Sequence, residues 1–214
     1  VVVYSNNLKW SDVHLKEEIE KAIGLDVYIS NDANCAALGE VKAGFGGKYK
    51  NAVVITLGTG VGGGIVIDGK IFEGGIGGAE IGHTLIERNG ELCTCGRKGC
   101  LEAYASATAL IRQAKEAANN NKESQLYKMC NGNIENMNGK IPFDAAKIYD
   151  ETAMNVIDKY TDYLAEGIIN MINIFRPEAI ILSGGISKQG NYLTNILKEK
   201  VIPNVFGGAE SYIP

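Results

Sequence analysis

Four residues able to bind a metal lie close together in one stretch of the chain. His83, Cys93, Cys95 and Cys100 follow the pattern His-x9-Cys-x-Cys-x4-Cys. One imidazole and three thiolates suit a closed tetrahedral Zn²⁺ site, which leaves no open position for a catalytic water. Gly96 and Gly99 let the backbone fold tightly around an ion. The alternative, three buried or reactive cysteines with an unrelated histidine, accounts less well for this density. Cys35 and Cys130 stand far from the cluster and read as plain buried thiols. A metal held in this way fixes the local backbone. Glu80, three residues before the histidine, and Glu102, two after the last cysteine, are fixed with it. Two carboxylates on a rigid knot can accept hydrogen bonds from sugar hydroxyls, although either glutamate alone most often reads as a solvated surface charge.

A second chemical signal is the run Ile55-Thr56-Leu57-Gly58-Thr59-Gly60-Val61-Gly62-Gly63-Gly64. Its pattern is a strand, a turn of small residues and a second strand. Glycines allow backbone N–H groups to approach an anion, and Thr59 adds a hydroxyl donor. No Gly-Lys-Ser/Thr follows, so this is not a P-loop. β-branched residues rather than a helix come next, which excludes a Rossmann turn. A glycine-rich hairpin with no ligand fits the string equally well. The pattern Leu-Gly-Thr-Gly-x-Gly-Gly-Gly resembles the second phosphate motif of the sugar kinase, Hsp70 and actin superfamily. In that superfamily the hairpin holds ATP phosphates, which implies Gly58, Thr59, Gly60, Gly62 and Gly63 as nucleotide-binding positions. Ser183-Gly184-Gly185, at the end of a later strand, resembles the adenosine motif and adds Gly184 and Gly185.

The elements that must position these residues alternate between short β-like runs and helical stretches, the pattern of an α/β domain. Residues 1–4 and 27–30 read as strands around a short helix near residues 15–23. Asn31-Asp32 opens a helix that ends at Gly44. Residues 52–57 and 65–68 flank the glycine-rich turn as a hairpin, and Asp68-Gly69 turns into residues 70–72. Residues 101–118 are alanine-rich and interrupted at 119–121. Residues 131–140 read as a surface loop. From 153 to 175, apolar residues at 3- or 4-residue spacing mark one long buried helix, ended by Pro177. Residues 179–182 form a short buried strand.

The chain has 214 residues, enough to bury a real core as one large domain or two small ones. Glycine is the outlier at 27 residues, ten of them between Gly58 and Gly78, so the enrichment is a local device. Five cysteines, three of them within eight residues, favour a metal site in a reducing compartment over a disulfide framework. A cytoplasmic location is expected. The net charge of -4 offers no electrostatic reason to bind nucleic acid, and no apolar run approaches the ~20 residues of a membrane helix.

The string Gly77-Gly78-Ala79-Glu80-Ile81-Gly82-His83, followed by Cys93-x-Cys95-Gly96-x-x-Gly99-Cys100-Leu101-Glu102, strongly resembles the ROK family of repressors, open reading frames and kinases, and within it the bacterial glucokinases. Asn7-Leu8-Lys9-Trp10 and Asn31-Asp32-Ala33-Asn34-Cys35-Ala36-Ala37-Leu38-Gly39-Glu40 match the same subgroup. The resemblance implies an actin-like, ribonuclease H-like sugar-kinase fold. It also implies phosphoryl transfer from ATP to O6 of an aldohexose, most simply glucose, with Mg²⁺ neutralising charge. Asp32 is then the general base. Helix capping by Asp32 or Asn31 is the plainer alternative for those two positions. Asn31, Glu80, Glu102 and Asn7 are implied to bind sugar hydroxyls. His83 is implied to serve twice, with one ring nitrogen on zinc and the other donating to sugar.

An Asp-x-Gly-Gly-Thr phosphate motif, expected of the family near the N-terminus, does not occur in this sequence. Residues 1–30 therefore read as a remnant of a small lobe and 31–214 as the large lobe, with a closing helix expected beyond Pro214. This piece alone is expected not to phosphorylate glucose efficiently, and a homodimer through the large lobe is implied. Two rival readings remain. One is a sugar-responsive transcriptional repressor of the same family. The other is a kinase for N-acetylmannosamine, N-acetylglucosamine or fructose.

Overall fold

A computed structural model describes residues 2–5, 8–44, 46–75 and 77–210. At the N-terminus, β1 (Val2–Ser5) and β2 (Trp10–Val13) form a two-stranded antiparallel sheet with Val2 opposite Val13 and Tyr4 opposite Ser11. Helix α1 (Leu15–Ile23) follows and has no buried residue. Residues 27–30, expected as a strand, are not one. The β-favouring run there finds no partner strand. Its Val27 N–H donates instead to the Glu20 carboxylate at 3.0 Å. The strand that pairs with β1 is Trp10–Val13, which its polar residues concealed.

Helix α2 (Asp32–Gly39) continues as a π-helical turn over Glu40–Gly44. Then come β3 (Ala52–Leu57), β4 (Val61–Ile67) and β5 (Lys70–Ile71). Helices α3 (Glu102–Ala105), α4 (Ala107–Asn120), α5 (Gln125–Lys128), α6 (Ile141–Lys147) and α7 (Glu151–Phe175) precede β6 (Ala179–Ser183) and α8 (Asn191–Val201). The expected alanine-rich helix is thus two helices. Ser106 takes an extended conformation between them, and its hydroxyl caps α4 by accepting the Ala109 N–H at 3.0 Å.

The four-stranded sheet has the order β5-β4-β3-β6, antiparallel except for the parallel β3/β6 pair. Alternation along β3 sends Val53, Ile55 and Leu57 to one face, where the larger core contains α4, α6, α7 and α8 residues. Ala52 and Val54 face the other way and pack with Ala37 and Val41 of the α2 region. The second hairpin strand begins at Val61, four residues earlier than expected, so Gly62, Gly63 and Gly64 lie inside the sheet opposite Thr56, Ile55 and Val54.

Their glycines are required by close packing. A Cβ on Gly64 would collide with Ala37 Cβ, and one on Gly62 with Thr56 Oγ1 and Ala33. On the opposite face, a Cβ on Gly63 would run into Ile81 and the Ala79 carbonyl. At the far end of the parallel pair, the Glu178 carboxylate accepts the Lys50 and Asn51 N–H groups at 2.6 and 2.7 Å. These two backbone donors hold its pKa below the usual carboxylate value.

Candidate active site

Among the described residues, the ligand atoms of His83, Cys93, Cys95 and Cys100 all lie within 4.8 Å of one another. His83 Nδ1 is 3.5 Å from Cys93 Sγ, and Cys95 Sγ is 3.7 Å from Cys100 Sγ. A tetrahedral ion bonded to sulfur at about 2.3 Å and to nitrogen at about 2.1 Å sets its ligand atoms about 3.6–3.8 Å apart. The two spacings agree with that requirement. The loop shapes itself around the cluster: Cys93 N–H donates to Arg97 O at 2.8 Å, Gly96 N–H to Cys93 O at 2.9 Å, and Gly99 N–H to Glu91 O at 2.8 Å. Gly99 has φ +84, and any side chain there would strike the Glu87 carbonyl.

Burial penalises thiolate at Cys100, whose pKa is pushed up to about 12, and also raises that of Cys93. The Arg97 backbone hydrogen bond lowers that of exposed Cys95. A cation among these sulfurs would reverse the penalty, because coordination deprotonates a thiol. Cys130 is buried as expected. Cys35 is exposed, a correction that follows from its place on the outer side of α2, away from the glycines that seat the helix.

Glu80 is fixed by its backbone. It has φ -73 and ψ 58, an inverse γ-turn closed by Ile81 N–H donating to Ala79 O at 2.8 Å. His83 N–H then donates to Glu80 O at 3.0 Å, so the two residues share one turn. Ala79, at φ +65, enters this turn in the left-handed region that residues with a Cβ rarely adopt. The Glu80 side chain is exposed and His83 is half-buried.

Glu102 joins the cysteine loop to the glycine hairpin. Its Oε2 accepts the Val61 N–H at 3.1 Å, and its Oε1 accepts the Thr94 hydroxyl at 2.7 Å. The carboxylate covers Gly60, where a Cβ would collide with it. Leu101, its fully buried neighbour, packs in the space left by the missing Cβ of Gly167 on α7. From the other side, the start of α4 grips the hairpin turn: Ala107 N–H donates to Gly58 O at 2.8 Å and the Thr108 hydroxyl to Thr59 O at 2.8 Å.

Asn31 caps α2, its side-chain oxygen accepting the Ala33 and Asn34 N–H groups at 2.9 and 3.1 Å. Asp32, the first helical residue, is exposed and accepts the Ala33 N–H at 2.8 Å. Ala33 packs against Gly62, so the helix N-terminus lies beside the start of β4. Pairing of Thr56 with Ser183 carries Gly184 to the end of β3, against the Leu57 backbone. Gly184 has φ +88 there. Two glycine motifs remote in sequence thus meet at one end of the sheet.

Asp32, Glu80, His83 and Glu102 therefore belong to segments packed on the hairpin, from Gly60 in the turn to Gly64 in β4. Thr59, Gly184 and Gly185 are exposed nearby, whereas Gly62 and Gly63 are held within β4. Asn7 lies outside the described residues. Thr94 and Thr108 were not singled out from the sequence. Only the position of Thr94 between two cysteines signalled it.

The ROK family profile matches residues 1–213. The chain belongs to the ROK family. A glucokinase from Thermotoga maritima is 43% identical over 204 residues, spanning 94% of this chain and 64% of that protein. A putative xylose repressor from Caldicellulosiruptor is 35% identical over 96% of this chain and 51% of its own length. The crystal structure of a ROK glucokinase from Streptomyces griseus in complex with glucose and AMPPNP is 35% identical, with a TM-score of 0.90 over 99% of this chain and 69% of that one. The fold is thus the actin-like α/β fold of ROK sugar kinases. The chain spans just under two thirds of the length of the curated ROK glucokinases it matches.

Proposed function

We propose that this chain is the larger part of an ATP-dependent hexose 6-kinase whose preferred acceptor is glucose. The observation that carries the reading is the convergence on the β3–β4 hairpin: Glu102 bonds Val61, the Ala79–Gly82 turn that carries Glu80 and leads to His83 packs on Val61 and Gly63, and Ala33, next to Asp32, packs on Gly62. Similarity to glucokinases, one solved with glucose and an ATP analogue, supports the same reading.

In this mechanism Asp32 removes the proton from the sugar 6-hydroxyl as the bond from O6 to the γ-phosphorus forms and the bond to ADP breaks. Asn31, Glu80, Glu102 and the outer nitrogen of His83 hold the other hydroxyls, with Asn7 joining them. Each carboxylate oxygen has two acceptor positions, so the observed bonds leave Glu102 able to accept from sugar as well. Thr59 and Gly60 offer backbone and hydroxyl donors to the ATP phosphates, and Gly58, whose N–H donates to Gly60 O at 3.0 Å, shapes that side of the site with Gly62, Gly63, Gly184 and Gly185. Mg²⁺ supplies neutralising charge. His83, Cys93, Cys95 and Cys100 hold a structural Zn²⁺, a closed set of one nitrogen and three sulfurs.

Residues 1–30 serve as a remnant of the smaller lobe and 31–214 as the larger lobe, consistent with the absence of any buried residue in α1. The protein works in the cytoplasm as a homodimer. No described helix is long and apolar enough to cross a membrane. The test is ATP turnover by the full-length protein with glucose, fructose, N-acetylmannosamine and N-acetylglucosamine. Glucose should give the highest kcat/KM. Turnover with none of them would overturn the reading.

A second reading, a sugar-responsive repressor, draws on the likeness to a putative xylose repressor. Asp32 and the glycine hairpin favour the kinase, because a repressor needs neither a base nor a phosphate site. Specific operator binding by the full-length protein without ATP turnover would favour the repressor.

A further inference from the structure

The Glu102 carboxylate accepts hydrogen bonds from two segments that differ in kind. Thr94, which donates to its Oε1 at 2.7 Å, stands between two members of the sulfur cluster. Val61, which donates to its Oε2 at 3.1 Å, is the first residue of β4 beyond the hairpin turn. Glu102 itself starts α3, two residues beyond Cys100, and buried Leu101 anchors it. Cys93 Sγ lies 3.7 Å from the same Oε1, and the Thr94 hydroxyl lies 3.9 Å from Cys93 Sγ. The Cys93 thiol is thus a longer, weaker donor to that carboxylate oxygen, and a metal on the sulfurs would remove it by taking the thiol proton, leaving Thr94 as the side-chain donor.

We propose that Thr94 is a positioning residue, whose hydroxyl aims the Glu102 carboxylate so that the metal loop sets the conformation of the phosphate hairpin. The physical argument is the rotamer freedom of glutamate. Anchoring at Leu101 fixes the backbone but leaves three side-chain torsions. A bond to Val61 at one oxygen alone lets the carboxylate swing about it. A second bond at the other oxygen, from a residue fixed by its cysteine neighbours, removes that freedom. The Val61 N–H sits at the hairpin tip, where it would otherwise turn to solvent. The proposal rests on the kinase reading only for its functional meaning, since the linkage is a property of the folded chain.

The decisive experiment measures hydrogen–deuterium exchange of the segment 58–64, with zinc content, in the 214-residue chain and its Thr94→Val and Thr94→Ser variants. Valine keeps the shape and removes the donor, whereas serine keeps the donor. Thr94→Val should retain zinc and exchange Val61 about tenfold faster, as weakening of the part-buried, charge-assisted bond from Val61 to Glu102 predicts. Thr94→Ser should exchange like the parent chain. Stripping zinc from the parent chain should speed the same amide. Unchanged Val61 exchange in zinc-loaded Thr94→Val would overturn the proposal. Loss of zinc by that variant would also overturn it, because the hydroxyl would then serve the sulfur loop rather than Glu102. Neither outcome depends on substrate. A full-length protein that transfers no phosphoryl group refutes the kinase reading and leaves this linkage to be judged on exchange alone.

Discussion

At the scale of single residues, the proposed mechanism separates side chains that would do chemistry from those that hold shape. Asp32 is exposed at the first turn of α2, and Asn31 supplies the cap that a helix start requires. Capping thus accounts for Asn31, whereas Asp32, whose Oδ1 also accepts the Ala33 N–H, keeps its second oxygen for the role of base. Asp32→Asn in the full-length protein should lower kcat for glucose by about 10³-fold, within the range for loss of a general base, with zinc content unchanged. Retained activity in a coupled assay would remove Asp32 from that role. The sulfur cluster carries its own pH signature. In the metal-free chain burial holds Cys93 and Cys100 as thiols, so binding zinc must displace a proton from each. Affinity should therefore fall as pH falls, by about a hundredfold per unit near neutrality, in a competition titration with a chromophoric chelator. A pH-independent affinity would mean that these thiols are not the ligands.

Elements act through close approach. Helix α2 reaches β4 because Gly62 and Gly64 present no side chain, and this seating sets where Asp32 stands. Gly64→Val would force Ala37 away from the sheet. Overpacking of this kind costs about 1–3 kcal/mol or more. The variant should melt several degrees lower by circular dichroism and should lose activity in the full-length protein beyond what lower stability explains. A variant as stable and active as the parent would show that the helix has room to move. Helix α7 plays the matching part on the other face. Gly167 receives Leu101, and the Tyr160 hydroxyl donates to Ala105 O at 2.9 Å, so the end of the cysteine loop is seated on α7, the longest described helix.

For the whole molecule, the four-stranded sheet is a platform whose β3–β4 hairpin seats the segments that carry Asp32, Glu80, His83 and Glu102. Helix α1 makes no comparable contribution to the core, since it buries nothing. On the kinase reading, the rest of the smaller lobe supplies the surface that closes over ATP and excludes water. The 214-residue chain should therefore turn over glucose at least about 10²-fold more slowly than the full-length protein, while still binding one zinc per chain by atomic absorption. Equal turnover by the two would place the whole catalytic apparatus in this chain.

The sequence by itself determined the local chemistry: the His-x9-Cys-x-Cys-x4-Cys spacing brings four ligand atoms within 4.8 Å because the intervening loop is too short and glycine-rich to separate them. Periodicity likewise gave α7 and the β3–β4 hairpin, since these depend on near neighbours. Residues 27–30 were misread as a strand because pairing is a tertiary event, and no partner arrives there. The glycines of β4 illustrate the same limit. In the sequence they resemble phosphate-binding positions, yet Gly62 and Gly64 are also the seat of α2 and Gly63 that of Ile81. Only the tertiary structure decided that Thr94, Glu102 and Val61 form one connected unit, because hydrogen bonds across 8 and 41 residues of chain follow from packing and leave no periodic trace.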